Sequence, residues 1–505
     1  MKNKLRPYKY LVLILFIVLT LRIPNLFEPY WYGDEGIYLA VGEGIRQGGL
    51  LYRDIFDHKP PAIYILAAIS GSLVIFKLFL CLFHLITIFY FWKLAKKFFE
   101  SSSIKEKDLL KSVNFSTLIF SLLTTLPLLE GHIANAELFM ALPTILGFYY
   151  LFPFENLKSL RVFLGGLIFS FAFLFKVPAF FDAATIPFFW FITSFKSLKL
   201  LKESIFKSIL FGVGIFVPIL IFGLYFWSKG ALDFFIEGTF GQNISYISAW
   251  TNPKFTSGEE TLFSGGFSFR AIMLAASLGL LFLFKKFLDK TTLIVGLWTL
   301  LSMFAMLLSG RPYPHYIIQI IAPVSLLISL LFWGGQRYRF WTVPLLLLVV
   351  GSINFYKFYT FPVFSYYQNF VLMATKRITI ERYFLNFDQR TSTTYKLSKY
   401  IMERTDQQEK IFIWGTEPEV YALSRRLPPG RYITSFHIVD FGGQEETIKS
   451  LKDSLPSYII RMESEQRTLP GLDSLLQDNY LYIQTIDKAQ IWKLVEPSLA
   501  KYLRQ

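Results

Sequence analysis

The residues of this chain that could do chemistry sit in short turns between long apolar runs. The first such turn reads Glu28-Pro29-Tyr30-Trp31-Tyr32-Gly33-Asp34-Glu35-Gly36. Two adjacent carboxylates hemmed by aromatics repel, which raises the proton affinity of at least one and suits a general base. The plainer alternative is a solvated acidic pair at a membrane interface. The same segment ends in Asp57-His58-Lys59-Pro60-Pro61. A lysine beside a helix start can hold a phosphate; otherwise it snorkels and marks the interface. A second turn, Glu130-Gly131-His132-Ile133-Ala134-Asn135-Ala136-Glu137, puts Glu137 in the first turn of the next apolar run, where a carboxylate also suits the helix dipole. Lys176 precedes Val177-Pro178, and Arg311-Pro312-Tyr313-Pro314-His315-Tyr316 precedes a later run.

The elements that must position these groups follow from composition. Of 505 residues, 53% are apolar and 17% charged, against about 25% charged in a soluble domain. Such a chain is neither disordered nor a simple soluble enzyme. The net charge of +15 is therefore not read as a sign of a nucleic-acid partner. A single cysteine, Cys81, excludes an intramolecular disulfide and a cysteine-based metal site.

A membrane span needs roughly 20 mostly apolar residues. Eleven runs qualify or come close: 10–21, 78–92, 112–129, 138–154, 162–175, 183–195, 208–228, 271–284, 291–310, 312–336 and 340–356. No small-residue cleavage site follows the first run, so it is kept as a span. Lys and Arg crowd residues 1–9, 93–111, 155–161, 196–207, 285–290 and 336–339, which the positive-inside rule places in the cytoplasm. These six segments hold the entire charge surplus. The basic surplus is thus a topology signal that also meets anionic lipid. A further apolar run, 60–76, would break the parity of crossings if it spanned. It is expected to be a re-entrant or interfacial helix, which needs cover from protein or a water-filled cavity. Lys59, Lys176 and Arg311 then fall on the outer side, against the usual bias, and call for an anionic partner. His84, alone in a span, reads as a hydrogen-bonded core histidine.

Residues 361–505 carry charge at a soluble level. Helices are expected at 391–404, 417–426 and 445–454. Strands are expected at 410–414, 431–434, 457–461, 480–484 and 489–494, giving a small α/β domain. Eleven crossings from an inside start place it outside. The expected fold is mainly α: a polytopic membrane helical bundle, 1–360, followed by an extracytoplasmic α/β domain, 361–505.

Together, Asp34-Glu35, His58-Lys59-Pro60-Pro61, Glu137 and Arg311…His315-Tyr316…Pro323 resemble the GT-C superfamily of integral membrane glycosyltransferases. More narrowly they resemble the family 39-like bacterial relatives of protein O-mannosyltransferases and of the lipid A aminoarabinose transferase. The resemblance covers roughly residues 8–330, and the passage Trp414-Gly415-Thr416-Glu417-Pro418 is similar to the tails of such proteins. It implies an inverting transfer of a sugar from polyprenyl phosphate to an acceptor hydroxyl on a lipid, glycan or protein outside the cytoplasmic membrane. Asp34 would be the general base, with Glu35 supporting it and Glu137 as the second acidic site. Lys59 would bind the donor phosphate, with His58, Lys176, Arg311, His315 and Tyr316 in the substrate site. One departure stands out: the aminoarabinose transferase has an acid before its Lys-Pro, where this chain has His58. No cofactor is assigned. A divalent cation shared by Asp34, Glu137 and His58 or His132 would have donors suited to Zn²⁺ or Mn²⁺, but no spacing compels it and no metal ligand is assigned.

The rival class is a transporter or flippase of a lipid-linked sugar or another anion. Transporters put charge near the midplane, on broken helices in two related halves. Here the charges lie toward one face, and no internal repeat is visible.

Overall fold

The computed structural model describes residues 8–242 and 266–496, and apolar helices dominate it. Two compact units form. One takes the chain up to Ile23, Leu78–Lys229 and on to Val363; the other takes Pro24–Lys77, Gly230–Gln242 and the chain from Phe364. The last switch between the units falls at Val363. Residues 24–77 and 230–242, however, fold with the C-terminal segment.

Every expected run carries a helix. Among the described residues, seven helices are long and apolar enough to cross a membrane: Lys9–Phe27, Leu73–Glu100, Leu198–Ser228, Phe267–Phe287, Lys290–Leu307, Pro314–Trp333 and Gly335–Phe355. Three shorter apolar helices are Ala136–Leu151, Ser159–Phe175 and Ala179–Ser194, and Glu106–Leu123 covers the remaining run. The chain is a multi-pass, mainly α membrane protein. The run at 60–76 holds the nine-residue helix Ala62–Ser70, ended by Gly71 at φ +62°, and the run's last residues open the helix Leu73–Glu100. At 1.5 Å per residue the first of these is about 13 Å long, under half a bilayer core. It is too short to cross a bilayer core.

In the first unit, solvent preference is inverted. Leu198–Ser228 exposes Phe206, Ile209, Phe216, Leu220, Leu224 and Trp227, a face suited to hydrocarbon rather than water. Lys290–Leu307 buries nearly every side chain, as an all-round apolar helix must. Ser159–Phe175 and Leu198–Ser228 cross at Gly166 and Gly214. A Cβ on Gly166 would stand 2.2 Å from the Phe211 carbonyl oxygen, and one on Gly214 equally close to that of Phe163. Only small residues permit such an approach. His84 is the core histidine expected. Arg22 donates to its Nδ1 at 3.0–3.1 Å, so its Nε2–H donates to Thr124 Oγ1 at 2.7 Å.

In the second unit the helix Gly33–Arg46 is buried from Glu35 to Gly44. Gly42 lets it touch the backbone of Ala62–Ser70, and Gly36 lets it touch Glu419 on the helix Pro418–Ser424. Four strands form one sheet: β1 Ile411–Trp414, β2 Tyr458–Met462, β3 Tyr480–Ile486 and β4 Ala489–Leu494. Their order is β1-β2-β4-β3. β1 and β2 are parallel, with Ile413 opposite Ile460, and β4 is antiparallel to both neighbours. The strand expected at 431–434 does not form. The Arg431 carbonyl accepts from the Phe56 N–H at 2.9 Å, and Thr434 caps the helix Ser435–Asp440, so this stretch has no ladder to join.

Lys77 is fully buried between two carboxylates, with Nζ 2.8 Å from Glu28 and 2.8 Å from Glu35. Tyr366 donates its hydroxyl to the other oxygen of Glu28 at 2.5 Å. Lys77→Met would strand two carboxylates out of water, a loss of about 3–5 kcal/mol. The melting temperature of the purified protein in detergent should fall well below that of the parent, and Lys77→Met combined with Glu35→Gln should recover part of it. Burial also pushes the carboxyls of Glu417 and Glu419 up to about 7, against the pull of Arg390. The unfolded values are about 4.3, so the folded state binds the extra protons. That contribution is complete below about pH 4.3 and is lost as pH rises through 7. The C-terminal segment should therefore melt higher at pH 5 than at pH 8, and Glu419→Gln should flatten this slope in a thermal scan.

Candidate functional site

Two clusters of polar side chains form, one in each unit. In the second unit, Asp34 and Glu35 open the helix Gly33–Arg46. Consecutive helical residues point about 100° apart, so the two carboxylates do not share a site as the sequence suggested. Glu35, with a side chain 3% exposed, pairs with Lys77. Asp34, 30% exposed, faces Lys59 Nζ at 3.5 Å and accepts the Tyr38 hydroxyl at 3.1 Å. Lys59 also lies 4.9 Å above the Tyr38 ring.

The loop carrying Lys59 is pinned by its own backbone. Tyr52 donates its hydroxyl to the Lys59 carbonyl at 2.8 Å and accepts from Thr239 at 3.2 Å. Tyr64 accepts from the Lys59 N–H at 3.0 Å and donates to Asp57 Oδ2 at 2.6 Å. Asp57 lies beneath Lys59, with Oδ2 3.8 Å from Nζ. Burial alone would raise the Asp57 carboxyl. Lys59, His58 and His437 together outweigh it and hold the group well below the usual carboxylate range. His58 places Nδ1 2.9 Å from Asp57 Oδ1, and burial lowers the proton affinity of its ring.

The first unit brings together Glu130, Glu137, Lys176, His315 and Tyr316. Glu130 takes φ +59° as the chain turns after Pro127–Leu129, which aims its carboxylate inward. His315 Nδ1 donates to Glu130, and its Nε2 lies 3.6 Å from Glu137 Oε1. Lys176 Nζ donates to that same oxygen and stands 4.1 Å above the Tyr316 ring. The Tyr313 ring lies parallel to His315 at 5.6 Å. Arg311 is half-buried in the same turn, its backbone N–H bonded to Ser309 Oγ at 3.3 Å. A carboxylate shared by an ammonium and an imidazole, with a second carboxylate behind the imidazole, is a charge-balanced polar nest at the ends of apolar helices. It can bind an anionic or hydroxyl-rich head group.

The sequence singled out Asp34, Glu35, Glu137, His58, Lys59, Lys176, Arg311, His315 and Tyr316, and each lies in or next to one of these two clusters. It did not single out Glu130, which closes the His315 pair, or Asp57, the hub beneath Lys59. His437 was missed altogether, because nothing in Ser435-Phe436-His437-Ile438 marks it. The cation set drawn from sequence, Asp34 with Glu137, divides between the two units, and His132 instead lies beside the Phe361 ring at 6.2 Å. A third buried acid, Asp182, accepts from Trp298 and Ser302 at 2.7 Å and from Gln319 at 2.6 Å, a saturated set that makes it a packing element.

No protein-family model matches the chain, and no curated protein matches it by sequence. Solved structures do. ArnT from Cupriavidus metallidurans, bound to undecaprenyl phosphate, is 12% identical with a TM-score of 0.55, over 97% of this chain and 98% of that one. The same protein in its apo state gives the same values. An oligosaccharyltransferase from Archaeoglobus fulgidus is 12% identical over 98% of this chain and 74% of that one, with a TM-score of 0.43. From its first helix to its terminal strands, the chain shares the fold of ArnT.

Proposed function

We propose that the protein is an inverting glycosyltransferase that moves a sugar from polyprenyl phosphate to an acceptor hydroxyl at the outer face of the cytoplasmic membrane. The Asp34–Lys59 pair carries this reading. It sets a partly exposed carboxylate beside a lysine whose loop is fixed by Tyr52 and Tyr64. The fold shared with ArnT, solved with undecaprenyl phosphate, supports a donor of that class.

The chemistry asks for two groups. A base must take the acceptor proton as the new bond forms, and a cation must stay with the phosphate oxygen that receives the breaking bond's electrons. Lys59 supplies the cation. When the anionic donor binds, it competes for the ammonium and draws it off Asp34. The carboxylate is then free to take the acceptor proton. Attack on the face opposite the phosphate inverts the anomeric carbon. Glu35 does not touch substrate in this scheme; tied to Lys77, it fixes the helix turn that aims Asp34. In the membrane unit, Lys176 and His315 bind the head group, with Glu137 and Glu130 orienting them and Arg311 and Tyr316 completing the rim. Residues 1–360 would be the catalytic membrane part, and 361–505 an extracytoplasmic domain that acts on acceptor choice.

Asp34→Asn should lower transfer by about 10²–10⁴-fold with the protein still monodisperse. The assay is sugar transfer from a polyprenyl-phosphate donor into envelope extract, and transfer at the parent rate would remove Asp34 as the base. Lys176→Gln should raise KM for the donor about tenfold or more, with a smaller change in kcat, as loss of a charged contact does. A KM equal to the parent's would take Lys176 out of the donor site.

A further inference from the structure

Three ligand atoms of the second unit converge on one point: Asp57 Oδ1, His58 Nδ1 and His437 Nε2 all lie within 4.8 Å of one another. The carboxylate oxygen stands 2.9 Å from His58 Nδ1 and 3.3 Å from His437 Nε2. Two ligands at about 2.0–2.1 Å from a tetrahedral Zn²⁺ are roughly 3.3–3.4 Å apart; the His437 spacing matches this, and the His58 spacing is shorter. Asp57 Oδ1 makes no hydrogen bond, and neither ring nitrogen of His437 does. Both side chains are wholly out of water. A buried imidazole with two idle nitrogens beside a buried carboxylate oxygen is costly unless something else uses the lone pairs.

The surroundings are built to hold such donors still. Asp57 Oδ2 is taken by the Tyr64 hydroxyl, which turns Oδ1 toward the two rings, as outer partners of a metal-bound carboxylate do. The His437 ring stacks on Phe441 at 5.5 Å and meets the Phe56 edge at 5.9 Å. Its place on the helix Ser435–Asp440 is set by the Thr434 cap. His58 keeps 13% of its side chain exposed, the one opening through which a water could complete the set. Two imidazoles and one carboxylate suit a first-row transition ion and are poor ligands for Ca²⁺ or Mg²⁺.

We propose that Asp57, His58 and His437 bind a divalent transition-metal ion, Zn²⁺ by the chemistry of its donors, which clamps the helix Ser435–Asp440 to the loop bearing Lys59. This goes beyond glycosyl transfer and does not depend on it.

The test uses the full chain in detergent, purified on a tag without histidine, stripped with chelator and titrated with Zn²⁺ or Co²⁺. The expected result is one tight ion per chain, d–d absorption bands of low-symmetry Co²⁺, and a melting temperature that falls on stripping and returns with Zn²⁺. His437→Gln should abolish the Co²⁺ bands. Tyr64→Phe, which keeps the ring and removes only the outer contact, should weaken binding about 10–100-fold. A stripped parent protein that takes up neither ion would overturn the proposal, whatever the variants do. So would Co²⁺ bands that persist unchanged in His437→Gln. No arm measures sugar transfer, so failure here and failure of the glycosyltransferase reading are separate results.

Discussion

The buried ammonium of Lys77 governs the arrangement of the second unit. It has left water, and Glu28 and Glu35 compensate it. Such a triad is stable only while all three members hold their geometry, since loss of one leaves an unpaired charge in an apolar setting. Glu35 therefore cannot rotate, and neither can the first turn of the helix it starts. Asp34, one residue earlier, inherits that constraint and faces Lys59 rather than the interior. The two adjacent acids thus divide their work: one is fixed as structure, and its neighbour stays accessible to chemistry.

The same division recurs in the membrane unit. Asp182 is saturated by three donors and serves packing. Glu130 and Glu137 are engaged by His315 and Lys176, groups that an anionic ligand can compete for. Burial alone does not separate a structural carboxylate from a working one. The partner's other options do.

Much of this was legible in the sequence. Charge-free runs long enough to span announced all eleven apolar helices, because the bilayer filters composition more strictly than water does. The parity of lysine-rich loops led to the expectation of a non-spanning segment at 60–76, and the helix Ala62–Ser70 is shorter than a bilayer core. The Asp34 turn stood out for its adjacent acids among aromatics, and the Lys59 turn for a basic residue expected on the outer side, against the usual bias. What stayed hidden depended on pairing between distant segments. Lys77 takes its role from Glu28 and Glu35, which lie far from it in the sequence. Arg431–Thr434 has the β-prone residues of a strand, yet its carbonyl is claimed by Phe56. Asp57 and His437 lie near opposite ends of the chain, and no local pattern links them.

The second unit is assembled from three separated pieces of chain, and this bears on how the protein is made. Residues 24–77 leave the ribosome early. The helix that seats on Gly36 and the carbonyl that pairs with Phe56 belong to residues 418–431, with most of the membrane helices in between. At ~5–20 residues per second the early piece waits on the order of tens of seconds for its partners. During that interval Lys77, Glu28 and Glu35 can find one another, since all three are already present, but Tyr366 cannot yet join them. The cluster around Asp34 and Lys59 is thus primed by a local ion triad and closed only when synthesis is nearly complete, so an interrupted chain carries these residues without their finished surroundings.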